Sequence, residues 1–107
     1  MDDLTFRALA FDFYGSLLTN KQREIYDLYH QQDLSLGEIA VLKGVTREAV
    51  YDLLKRAEGA LQTYENKLKL VKKYLWSREI IGELKKEFKG ENRKHILLLL
   101  QKLEDSW

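Results

Sequence analysis

Apolar residues recur three and four positions apart through most of the chain, the period of helices with one buried face. Ala8, Phe11, Tyr14, Leu17 and Leu18 mark a first helix from about Leu4 to Leu18, and Phe6, Leu9 and Phe13 widen its stripe. Thr19 followed by Gln22 has the spacing of a capping box, so a second helix is expected from about Asn20 to His30. Ile25, Leu28 and Tyr29 form its inward set, with Tyr26 flanking, and Gln31 to Asp33 make a polar link.

The stretch Ser35 to Arg56 carries the most specific pattern. Ser35 with Glu38 makes a second capping box, opening a short helix from Leu36 to about Lys43. Gly44 supplies the positive φ that ends it, and Thr46 caps another helix with Ala49, Val50, Leu53 and Leu54 inward. Ala40 is the small residue where the two helices would cross, and Ile39 and Val45 complete the seam between them. Together these positions specify a helix-turn-helix.

The fourth helix is expected to run on. Leu54, Ala57, Leu61, Tyr64, Leu68, Val71 and Leu75 alternate in threes and fours, a heptad seam. A helix from Leu54 to Leu75 would be roughly 32 Å long, with Gly59 its weak point. Ser77 is expected to cap a fifth helix, Arg78 to Phe88, with Ile80, Ile81, Leu84 and Phe88 inward, and Lys89-Gly90 to break it. A last helix, Asn92 to Leu103, carries the run Ile96 to Leu100 and then Leu103, which wraps too far round to leave one side wet. The pattern predicts an all-α bundle: a helix-turn-helix domain over 1–61 and a helical extension over 62–107, continuous with it. The seam Leu61, Tyr64, Leu68, Val71 and Leu75 wants a partner, either the chain's own C-terminal helices or, as we expect, a second copy.

Composition narrows the function classes. The 107 residues hold no Cys and no Pro, which removes disulfides, thiolate metal sites and thiol nucleophiles. The start, MDDLTFRALAF, has acids where a signal peptide needs basic residues, and no apolar run could span a bilayer, so a cytoplasmic protein without membrane insertion is expected. His30 and His95 stand apart without metal-ligand spacing, and no nucleophile and base or phosphate-cradling glycine loop is recognisable. We therefore expect a binding module without cofactor, metal or catalytic residues.

Net charge is +1, unevenly spread. Residues 1–35 carry three cations against six acids, 36–75 eight against five, and 76–107 seven against six. If the second helix of the motif reads DNA, its outward residues are Arg47, Glu48, Tyr51, Asp52, Lys55 and Arg56. Arg47 has the fork to take a guanine and Tyr51 a ring for a thymine methyl, while Arg23, Lys43, Lys55 and Arg56 would hold phosphates. Glu48 and Asp52 lie on the same side and repel phosphates, so the surface should bind random duplex poorly.

Residues Leu18 to Leu61 resemble region four of bacterial sigma factors, with Thr19, Gln22, Arg23, Ser35, Glu38, Ile39, Ala40, Gly44 and Val50 at matching positions. Lys43 departs from that pattern, since the position before the turn glycine is normally apolar; its stem would lie on the seam and its ammonium point outward. The phrases FYGSLLTNKQREIYDLYHQQDLSLGEIA and GVTREAVYDLLKRAEGAL, with the Tyr64 to Leu68 step, are similar to the YlxM-like helix-turn-helix family of Gram-positive bacteria. That resemblance implies a helix-turn-helix fold and a context in the signal recognition particle pathway, resting on gene neighbourhood with the particle's GTPase. Two readings stay open: a dimeric regulator of double-stranded DNA, and an accessory module contacting the signal recognition particle GTPase or its RNA.

Overall fold

A computed structural model describes residues 3–88 and 92–105, which are helical apart from short links, with no strand among them. The helices are α1 (Asp3–Tyr14), α2 (Asn20–Tyr26), α3 (Leu36–Lys43), α4 (Arg47–Leu68), α5 (Leu70–Glu87) and α6 (Arg93–Asp105). A 3-10 turn, Gly15–Leu17, follows α1, and a π-helical turn, Asp27–Gln31, prolongs α2. Contacts divide the chain into two compact units, Met1–Lys69 and Leu70–Trp107. The expected break at Lys89-Gly90 lies outside the described residues.

In the first unit α4 is the axis, and α1, α2 and α3 each pack against it. Its buried face is Val50, Leu54, Ala57, Leu61 and Glu65. Tyr14 from α1, Ile25 and Tyr26 from α2, Leu28 from the π turn and Ile39 and Ala40 from α3 fill the space around it. Both helix starts read from capping boxes are present. At the first, Thr19 Oγ1 accepts from the Gln22 amide and the Gln22 side chain accepts from the Thr19 amide, both at 3.1 Å. Leu17 is exposed although its spacing marks it as inward, because the chain leaves the α-helical register at Gly15, whose added Cβ would meet the Phe11 ring at 3.2 Å.

Tyr26 is the buried polar tie between α2 and α1. Its ring stacks on Phe11 with centroids 4.9 Å apart, and its hydroxyl donates to the Arg7 carbonyl at 3.4 Å. Burial, with a smaller contribution from Glu58 and against the pull of Arg7, pushes the phenol up to about 12. The folded chain thus holds this proton more tightly than the unfolded chain, where a tyrosine titrates near pH 10. Stability is expected to be unaffected by Tyr26 below pH about 10 and to fall as pH rises from about 10 to 12, by an amount of order 1–3 kcal/mol. Urea unfolding across that range checks it, and Tyr26→Phe should flatten this part of the profile.

The helix expected from Leu54 to Leu75 is interrupted. α4 ends at Leu68, and Lys69 caps it in the left-handed region, φ 56°, its amide donating to the Glu65 carbonyl at 2.8 Å. The seam's spacing persists past this point and Val71 beyond it is fully buried, but Leu68 at the end of α4 is 46% exposed. Neither Gly nor Pro marks the break, and a lysine bears the αL backbone.

In the second unit α5 and α6 pack together as a helical pair. α5 runs through Ser77, which is no cap; its hydroxyl donates to the Lys73 carbonyl at 2.8 Å, the bond a mid-helix serine makes to the preceding turn. Glu104 of α6 lies between Lys85 and Arg78 of α5, paired to both, and its hydrogen bond from Lys85 draws its carboxyl below the usual range. Ile81 is buried and Phe88 half-buried, whereas Ile80 and Leu84, expected inward, are exposed. The reason is register: Arg78, Ile81 and Lys85 share the side of α5 that meets Glu104, and Ile80 and Leu84 point elsewhere. The run Ile96 to Leu100 is not covered on two sides within the chain: α6 has no buried residue, and Leu98, Leu99 and Leu103 are exposed.

Candidate nucleic-acid interface

Three local devices, two caps and a turn, build the motif's angle. Ser35 Oγ accepts from the Glu38 amide at 3.0 Å while Glu38 Oε1 accepts from the Ser35 amide at 3.1 Å, so the start of α3 is closed on itself. At its end Gly44 sits at φ 66°, its amide donating to the Val41 carbonyl and the Val45 amide to the Ala40 carbonyl at 3.0 Å. This is the Schellman arrangement, which a residue with a Cβ enters at a cost. Thr46 Oγ1 then accepts from the Ala49 amide at 3.1 Å and starts α4. Ile39, Ala40, Val50 and Leu54 are buried between α3, α4 and α2, with Ala49 and Leu53 half-buried. Val45, expected in the seam, is exposed: the left-handed turn at Gly44 carries it off the end of α3 before α4 begins.

The outward side of α4 holds Arg47, Glu48, Tyr51, Asp52, Lys55 and Arg56, all exposed. Arg47, Glu48, Tyr51 and Asp52 line a shallow groove with Leu36 at the start of α3. Tyr51 is 48% exposed, and the Lys55 ammonium sits 5.5 Å from its ring centroid. Lys55 also pairs with Glu58 at 3.7 Å, and Glu58 meets Nε2 of His30 on the π turn at 3.2 Å. The His30 ring lies against Tyr26 and Tyr29.

The other two candidate cations lie apart from that face. Lys43, at the end of α3, pairs with Glu24 of α2, which accounts for a charged residue where an apolar one is usual. Arg23, beside Glu24 on α2, donates to the Asn20 side chain at 2.6 Å. Arg47 and Arg56 carry no ion pair among the described residues, so they are the cations most available to a polyanion. Glu48 sits in the first turn of α4, where the helix dipole favours a carboxylate, which gives it a structural reason to be there.

Residues 3–101, which include this whole motif, match the family described as "Putative helix-turn-helix protein, YlxM / p13 like". The chain belongs to that family. Its relatives include the UPF0122 protein of Thermoanaerobacter sp. (strain X514), 52% identical over 89 residues, which are 83% of this chain and 74% of the relative. The UPF0122 protein of Bacillus thuringiensis (strain Al Hakam) is 44% identical over 99 residues, 88% of this chain and 90% of the relative.

In this member of the YlxM/p13-like family, two polar ties escape a reading of the sequence alone. Tyr14 donates to the buried Glu65 carboxylate at 2.6 Å, joining α1 to the last turn of α4. His30 and Glu58 join the π turn to the middle of α4. The signal for the first was present: Glu65 stands four residues after Leu61 on the apolar side of α4, a carboxylate where a hydrophobe is expected. Among the described residues no cluster of His, Asp and Glu could hold a metal, and no helix is long and apolar enough to cross a membrane.

Proposed function

We propose that this chain is a cytoplasmic DNA-binding regulatory protein that works as a homodimer. Residues 1–61 meet the duplex, and the helices of 62–107 join two copies. The observation that carries the reading is the exposed outer side of α4, where Arg47 and Arg56, without an ion pair among the described residues, stand either side of Tyr51 in the chain on a helix whose start is fixed by Thr46 and Gly44. In a helix-turn-helix that side enters the major groove, and its first residues reach base edges. Arg47 takes a guanine, Lys55 and Arg56 position phosphates, and Glu48 or Asp52 accepts from a cytosine amino group. Arg23 and Lys43 serve at the phosphates only after giving up Asn20 and Glu24.

Fluorescence anisotropy with genomic fragments at low salt tests this. Preferred fragments should bind well above random duplex, and Arg47→Ala should weaken them about 10-fold to 100-fold, as for loss of one bidentate base contact. Affinity equal to random duplex and indifferent to Arg47→Ala rejects the reading.

One observation favours a second reading, an accessory module that contacts the signal recognition particle GTPase or its RNA. The charges of the α4 face nearly cancel: Glu48 and Asp52 stand beside Arg47, and Lys55 is held by Glu58. Light-scattering titration against that GTPase and that RNA decides it. A complex at micromolar concentration supports the accessory role, and its absence removes it.

A further inference from the structure

α5 presents an apolar stripe that stays exposed among the described residues. Trp76 is 64% exposed, Ile80 37% and Leu84 40%. At 3.6 residues per turn these three fall in one sector with Lys73 and Glu87, about 80° wide. The sector is well away from Arg78, Ile81 and Lys85, which are occupied with Glu104 or buried. A contiguous exposed apolar stripe with a tryptophan in it is the kind of patch that marks an interaction surface.

The order of residues along the stripe identifies what covers it. It reads Lys73, Trp76, Ile80, Leu84, Glu87. Trp76 and Leu84 stand four positions either side of Ile80, and Lys73 and Glu87 stand seven either side. The stripe is therefore apolar in the middle, positive at one end and negative at the other, and balanced about one residue. Lys73 and Glu87 are both exposed and carry no ion pair among the described residues. A two-fold axis through Ile80 sets two such helices antiparallel, each residue facing its reflection in the order. Ile80 then meets Ile80, Trp76 meets Leu84, and each Lys73 meets a Glu87 at both ends of the seam. A parallel pairing would set Lys73 against Lys73 and Glu87 against Glu87.

We infer that the α5 stripe docks a second copy of this chain as an antiparallel, self-complementary pair centred on Ile80. The inference rests on the homodimer part of the proposed function and not on DNA binding. It also differs from the seam read in sequence, two of whose residues, Leu61 and Val71, are already buried within the single chain and have no surface left to offer.

Sedimentation equilibrium of the full chain tests it, with helical content followed by circular dichroism. The wild type should be a dimer, and Trp76→Glu, at an exposed position, should weaken association at least 10-fold with helicity unchanged. Lys73→Glu and Glu87→Lys should each weaken association about 3-fold to 10-fold, and the double variant Lys73→Glu/Glu87→Lys should regain most of the loss, because the swapped charges meet again across the axis. A wild type that stays monomeric at all concentrations overturns both this pairing and the dimeric reading. A dimer indifferent to Trp76→Glu, or charge variants without rescue in the swap, overturns the pairing alone and leaves the dimer standing on another surface.

Discussion

Ile39→Ala is expected to lower the unfolding free energy of the first unit by about 2–5 kcal/mol. Ile39 has no exposed surface, and it sits where α3 crosses the rest of the bundle. α3 is only eight residues long, too short to hold its own helix without packing, so its angle to α4 depends on that side chain. Truncation removes the transfer energy of the lost carbons and leaves a cavity between elements joined by a fixed turn. Against a total of about 5–15 kcal/mol for a domain, the loss is a large share. Equilibrium denaturation by urea checks it. A change below about 1 kcal/mol would show that α3 is held by its caps and turn alone, and that the motif's geometry does not rest on this contact.

The second large effect is expected at Tyr14. Its hydroxyl is 2.6 Å from Oε1 of Glu65, both residues are buried, and the bond ties α1 to the last turn of α4. Hydrogen bonds to charged groups contribute about 1.5–3 kcal/mol, so Tyr14→Phe should cost about that much while leaving the ring's packing on Tyr64 intact. A carboxylate in the final turn of a helix meets the negative end of the dipole, so Glu65 does not serve the helix it belongs to. The same denaturation measurement reads the loss. Tyr14→Phe at wild-type stability would mean that Glu65 is satisfied without this phenol.

Much of the fold was legible in residue order because it is local. Ser35 and Glu38, Gly44, and Thr46 each act within four positions, and the bonds they imply are all present. Buried positions of α4 such as Val50, Leu54 and Leu61 followed from periodicity alone. Features that depend on contacts far apart in the chain were not legible. The stop at Lys69 has no breaker residue, and the apolar periodicity runs straight through it from Leu68 to Val71 and Leu75. The exposure of Ile80 and Leu84 turns on which side of α5 meets α6, a choice that the six apolar residues from Ile96 to Leu103 leave open. On the candidate interface, residue order named the outward side of α4 but not its internal pairings. That Lys43 answers Glu24, on another helix, is a fact of folding; Lys55 with Glu58 is a local i,i+3 pair, and both lower the number of cations that face solvent unengaged.

The π turn has a consequence for how this chain tolerates change in length. Between Asp27 and Gln31 the backbone takes one residue more per turn, closed by the Gln32 amide on the Asp27 carbonyl at 3.0 Å. Loss of one residue from that segment would let an ordinary α-helix form, with every backbone bond still made. The chain beyond Gln32 would keep nearly its present phase relative to α2, because the wide turn sweeps about the angle of an α-turn with one residue more. A deletion inside α2 itself would instead rotate everything after it by about 100° and re-aim the whole helix-turn-helix. The wide turn keeps the phase between the front of the chain and the motif behind it.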